Sequence, residues 1–217
     1  NYALSQQRKS MGQPFPELVE YSENLEHCIH PVFIKDQLTR TLSRLNLEKL
    51  DVYLLHNPEY YLGWAEKKGV PLKAARDIYY DRISRAFAYL EEEVAAGRIG
   101  RYGISSNTFV ESADHAQFTN LSHCLEIAHA IRPDHHFRVI QFPMNLLETG
   151  AAVEENQLDG ETVLSIAHKH QLGVLVNRPL NAVVGNNLVR LASLPQVTGS
   201  TDKDVAEAWI DKLITEE

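Results

Sequence analysis

"LDVYLLHNP", residues 50–58, decides how this chain is read. Leu50 to Leu55 form a short apolar run of the kind a buried strand uses. The run ends not in ordinary turn residues but in His56, Asn57 and Pro58. Just upstream, "HPVFIKDQLTRTLSRLNL" (30–47) places Phe33, Ile34, Leu38, Leu42 and Leu45 close to helical spacing, with Lys35, Asp36 and Arg40 on the solvent side. A helix therefore feeds a strand that finishes in polar groups.

The same unit recurs downstream. Residues 59–78 read as a loop with a helical piece carrying Tyr60, Tyr61 and Trp64, which either line a pocket beside His56, pack beneath the loop or contact another subunit. An amphipathic helix follows at about 77–96, and Gly97 can end it in the left-handed conformation. "RIGRYGISSN" (98–107) is a strand ending in Ser105, Ser106 and Asn107. Helix 120–131 leads to the strand "RVIQFPMN" (138–145), and helix 160–171 leads to the strand "GVLVNRPLN" (173–181). A last helix is predicted over 202–215, and residues 1–30 are expected to be an irregular N-terminal segment.

Near-continuous apolar strands alternating with helices predict a parallel sheet covered by helices. Ser106 to Gln141 is 35 residues and Gln141 to Asn177 is 36, a regular βα repeat. All four strands end in polar groups: His56, Ser106-Asn107, Gln141 with Asn145, and Asn177-Arg178. An open doubly wound sheet gathers such groups only near its switch point, whereas a βα barrel collects them from every strand at one face. The expected fold is thus α/β, part of a (β/α)8 TIM barrel in one domain over residues 1–217.

Composition narrows the function classes. The formal net charge is −8, and basic residues are dispersed, which argues against a nucleic-acid binder. No apolar run approaches the roughly 20 residues of a membrane span. Cys28 and Cys124 are far apart and suit free thiols in a reducing soluble compartment, cytoplasmic or organellar. The chain begins at Asn1 rather than Met, which leaves room for an upstream segment, a targeting sequence included. No Gly-x-Gly-x-x-Gly or Walker motif follows any strand. His168 and His170, two apart on a helix, make a poor metal-ligand pair, and no metal site is expected.

Taken in order, these motifs resemble the aldo-keto reductases. "RTLSRLNLEKLDVYLLHNP" (40–58) is similar to the helix and strand that deliver that family's active-site histidine. "AAGRIGRYGISSN" (95–107) resembles its Gly-Ile/Val-Ser-Asn strand, "VIQFPMN" (139–145) its glutamine-bearing strand, and "GVLVNRPL" (173–180) the next. The resemblance runs from about residue 31 to 181. It implies an NADP(H)-dependent oxidoreductase passing hydride between nicotinamide and a small carbonyl or alcohol. It also implies His56 as the group that polarises the substrate oxygen. Ser106, Asn107 and Gln141 would bind the nicotinamide carboxamide, and Asn177, Arg178 and Leu180 would be further cofactor contacts.

Two departures stand out. Asn177 occupies the place of the family's usual aromatic residue, and an amide plane stacks less well than a ring. The family's aspartate, tyrosine and lysine have no counterpart in a matching context, and about 250 residues is typical of such a barrel. A longer protein, or a protein partner completing the barrel, is one expectation. A catalytically silent relative serving as a subunit or interaction module is the other.

Overall fold

Four apolar runs pair side by side, each parallel to the next, in the order of the chain. The computed structural model describes residues 2–185 and 187–192. The chain divides into two compact units, residues 1–179 and 180–217. In chain order the first unit contains α1 (Tyr2–Ser10), β1 (Val19–Ser22), β2 (Leu25–His27), α2 (Pro31–Leu45), β3 (Leu50–His56), α3 (Tyr60–Lys67) and α4 (Leu72–Ala95). It continues with β4 (Ile99–Ser105), α5 (Leu121–Ile131), β5 (Phe137–Pro143), α6 (Gly150–Val153), α7 (Val163–Lys169) and β6 (Gly173–Asn177). The second unit holds an antiparallel hairpin, β7 (Asn181–Val184) and β8 (Asn187–Arg190).

The main sheet has the order β3-β4-β5-β6, every pair parallel. Strands that neighbour one another in sequence order, with no reversal, form an arc of a βα barrel, whereas a doubly wound sheet would reverse direction at a switch point. The expected fold class is thus met as a partial (β/α)8 barrel.

Local sequence explains the elements. In α2, Ile34, Leu38 and Leu42 are buried four residues apart on one face. His30 Nδ1 accepts the Val32 N–H at 3.2 Å at its start, and Asn46 ends it in the left-handed conformation at φ 52°. Gly97, at φ +74°, stops α4 as anticipated. Helix α4 itself begins at Leu72, earlier than the sequence reading placed it.

The core lies between the sheet and its helices. Leu55, Ile104, Ile140 and Phe142 on the strands are buried with Tyr79, Ile83, Phe87 and Leu90 of α4. Phe87 sits 5.0 Å, centroid to centroid, from both Tyr102 and Phe137. The opposite sheet face is far more open, with Val52 37% and Leu175 45% exposed.

Residues 1–30 depart from the irregular segment expected. Helix α1 has no apolar stripe, and Ser5 is its one buried residue, so hydrophobic periodicity could not reveal it. It is tied by charge: Lys9 Nζ lies 2.5 Å from Glu20 and 2.6 Å from Glu26 on the β1–β2 hairpin. Asn24 turns that hairpin at φ +61°. The β7–β8 hairpin was also not anticipated, and the helix expected over 202–215 lies outside the described residues.

Gly103 sits where strands β3, β4 and β5 crowd together. A Cβ there would stand 1.9 Å from the Val139 carbonyl oxygen and 2.8 Å from Leu54 Cδ2. Backbone cannot yield as a flexible side chain can, so Gly103→Ala is expected to destabilise by more than about 3 kcal/mol or abolish folding. A urea midpoint equal to that of the parent chain would refute this packing.

Candidate functional site

The ladder of β3, β4 and β5 aligns His56 with Ser105 and Ser105 with Gln141, and β6 adds Leu175 opposite Gln141. Residues directly opposite in a parallel ladder point to one face, so these four form a row across the open side of the sheet. At about 4.8 Å per strand the row spans about 15 Å. The Ser105 hydroxyl donates to Gln141 Oε1 at 2.7 Å. That contact orients the amide and leaves Gln141 Nε2 without a partner among the described residues. Two positions along, Asn177 stands opposite Pro143 on the same face, and its Oδ1 is enclosed without a hydrogen-bond partner among the described residues.

The His56 side chain is exposed on this face. Its carbonyl oxygen meets His27 Nε2 at 2.8 Å. A carbonyl can only accept, so His27 carries its proton on Nε2. Enclosure of that ring lowers its pKa to about 4, which keeps it neutral. Sequence reading missed His27 because the hairpin that presents it was not foreseen.

Ser106 does not join the row. Its side chain is fully buried on the other face, where its hydroxyl lies 3.1 Å from Thr108 Oγ1 and 3.4 Å from Thr119 Oγ1. The cause is a β-bulge. Tyr102 pairs with Phe137 but Gly103 pairs with Val139, so the extra residue Arg138 shifts everything after it by one. Without the bulge Gln141 would face Ser106; with it, Gln141 faces Ser105. Asn107 lies just beyond β4, and its Nδ2 donates to Asn57 Oδ1 at 3.3 Å.

Arg178 holds a left-handed conformation at φ 56°, and its guanidinium is ion-paired with the Glu148 carboxylate. Leu180 belongs to the second unit, where it is 58% exposed and its carbonyl accepts the Leu191 N–H at 2.9 Å. Tyr60 and Tyr61 pack rather than stand free: Tyr60 stacks on Tyr21 with centroids 4.1 Å apart, and Tyr61 lies beneath Arg82. An open groove of about 620 Å³ runs along β3 and reaches His27, His56 and Tyr60.

Glu59 is the residue least expected here. It follows the His-Asn-Pro sequence and is only 2% exposed. Its Oε1 accepts the Asn107 backbone N–H at 3.0 Å, while Oε2 finds no partner among the described residues. Burial pushes its pKa up to about 7 despite help to the ionised form from its own backbone N–H, the Asn107 N–H and the Ser106 hydroxyl.

The family model described as "Aldo/keto reductase family" matches residues 20–185. The chain belongs to the aldo/keto reductase family. Among solved structures it is similar to a glycerol dehydrogenase from Gluconobacter oxydans, at 20% identity and a TM-score of 0.39, covering 69% of this chain and 32% of that one. A putative aldo-keto reductase from Pseudomonas aeruginosa matches at 18% identity and a TM-score of 0.41, covering 71% and 45%. The chain thus spans less than half the length of either. No curated protein matches it. Among the described residues no helix is long and apolar enough to cross a membrane, and no cluster of three His, Cys, Asp or Glu could hold a metal ion.

The raised pKa of Glu59 has a stability consequence with a definite sign. The unfolded carboxyl ionises near 4.5 and the folded one near 7. Between these values the folded state holds more protons, so this group's contribution to stability falls as pH rises from about 4.5 to 7. Glu59→Gln removes that loss. Its stability relative to wild type should climb across this window, by as much as about 3 kcal/mol above pH 7. Urea unfolding of both proteins from pH 4.5 to 8 reads the difference, and a constant offset would refute it.

Proposed function

We propose that this chain carries the nicotinamide-facing part of an NADP(H)-dependent oxidoreductase acting on a small carbonyl or alcohol. The observation that carries the reading is the His56–Ser105–Gln141 row on the open face of the sheet. Its donor set suits a carboxamide, which offers one carbonyl acceptor and two N–H donors. Among the described residues Gln141 Nε2 has no partner and Asn177 Oδ1 is an enclosed acceptor without one, so the two would suit the two ends of such a group. The residues present therefore fit the nicotinamide that the family uses.

Ser105 fixes the Gln141 amide so that its N–H is presented rather than free to rotate, and orientation of this kind is a catalytic contribution in itself. Asn107 is the second side-chain amide near the mouth. His56, whose backbone is held by His27, would donate an N–H to the substrate oxygen as negative charge develops there. When bound, the nicotinamide supplies a hydride to the carbonyl carbon or takes one from an alcohol. Arg178, with its charge already matched by Glu148, is a support for the β6 end more than a phosphate contact.

A catalytically silent subunit is the second reading, and one observation favours it. The enclosed tyrosines Tyr53, Tyr79, Tyr80 and Tyr102 are all pushed up by burial, the opposite of what a proton donor needs.

Two measurements on the complete protein decide between the readings. Gln141→Ala should weaken NADPH binding about five- to tenfold, the loss of roughly one hydrogen bond, as read by tryptophan fluorescence quenching. Unquenched fluorescence in wild type at millimolar NADPH would favour the silent subunit. His56→Ala should lower turnover by roughly 10²- to 10³-fold while leaving the thermal midpoint within a degree or two, since the side chain is exposed. Undiminished turnover would show that the imidazole takes no part.

A further inference from the structure

Three hydrogen bonds join the loop after β3 to the end of β4 and the residues just beyond it. The Asn57 N–H donates to the Ser105 carbonyl at 2.7 Å, the Asn107 side-chain amide to Asn57 Oδ1 at 3.3 Å, and the Asn107 backbone N–H to Glu59 Oε1 at 3.0 Å. Asn57 adopts φ +47°, a conformation Asn tolerates better than most residues. It is 5% exposed, so its side chain is committed to this junction.

Glu59 makes the unusual member of the set. It is the N-cap residue of α3, where an acidic side chain ordinarily accepts an N–H from the helix's own first turn. No such bond forms here. The carboxyl reaches instead to the next strand's loop, and one of its oxygens stays buried without a partner among the described residues. A carboxyl so placed weakens the fold, and its best partner is a residue at the mouth of the sheet.

We propose that Glu59 is a positioning residue: its carboxyl holds the Asn107 backbone and so sets how Asn107 is presented beside the His56 loop, tighter when ionised than when protonated. This rests on the functional reading above and adds a regulator to it. A charged acceptor makes a shorter, stronger hydrogen bond than a neutral one. The raised pKa of Glu59 puts the change of strength near neutral pH. The titratable groups facing it are Tyr79 from α4 and Tyr21 from β1, both pushed up and hence uncharged over this range. On its own loop stands His56, and His27 behind that loop titrates well below neutrality.

The test follows the Asn107 amide by ¹H–¹⁵N correlation from pH 5.5 to 8.5, with NADPH affinity measured on the same samples. In wild type the Asn107 resonance should move with a midpoint near 7. The movement should survive His56→Ala, which separates Glu59 from the neighbouring imidazole, and should vanish in Glu59→Gln. NADPH affinity should change at least threefold across the range in wild type, stay flat in Glu59→Gln, and be about tenfold weaker in Glu59→Ala. An amide that does not titrate, or a titration unchanged in Glu59→Gln, overturns the proposal, as does wild-type affinity in Glu59→Ala. Absence of NADPH binding in wild type would sink the functional reading alone, because the amide titration still decides whether Glu59 holds Asn107.

Discussion

The parallel register of β3, β4 and β5 is the constraint on which the rest of the structure depends. It alone makes neighbours of His56, Ser105 and Gln141, which are 49 and 36 positions apart in the chain. In a sheet, a shift of one residue sends a side chain to the opposite face. The bulge at Arg138 applies one such shift after Phe137, bringing Gln141 to Ser105 and leaving Ser106 among Thr108 and Thr119. Gly103 holds the three strands close enough for that register to persist, because no side chain intervenes between Leu54 and Val139.

Around this sheet the two faces serve different ends. The helix side is filled by aliphatic and aromatic side chains from α4, α5 and α7 and carries the hydrophobic stabilisation. The other side presents polar groups with spare hydrogen-bonding capacity at the carboxyl ends of the strands. Polar atoms left enclosed without partners weaken a fold. Among the described residues Asn177 Oδ1 and Glu59 Oε2 are both in that state, and both lie at the carboxyl end of the sheet, the end where barrels of this kind carry their active sites. Stability is gained on one side of the strands and partly given up at their ends.

Family membership and the sheet's geometry bear on different questions. The match over residues 20–185 assigns the family, and the strand register shows which polar side chains stand side by side on the open face. Departures from the family pattern are equally physical. Asn177 offers an amide where stacking would favour a ring, and Arg178 is neutralised by Glu148, so the β6 end offers hydrogen-bonding groups more than free charge or stacking area.

Much was determined by the sequence alone. Periodicity placed α2, β3, β4, α5, β5 and β6 close to their observed bounds, because each carries an apolar run or stripe that is legible in the residues. The polar strand ends, His56 and Gln141 among them, were legible for the same reason: polar residues closing an apolar run have few places to go. Periodicity was silent on α1, which is held by Lys9 to Glu20 and Glu26 and has no apolar stripe. Tertiary structure decided what depends on pairing between distant segments. The choice of Ser105 over Ser106 hangs on a bulge in another strand, and the hold of His27 on His56 hangs on a hairpin 29 residues upstream. The burial of Glu59 hangs on what packs over it, and no run of neighbouring residues encodes any of these.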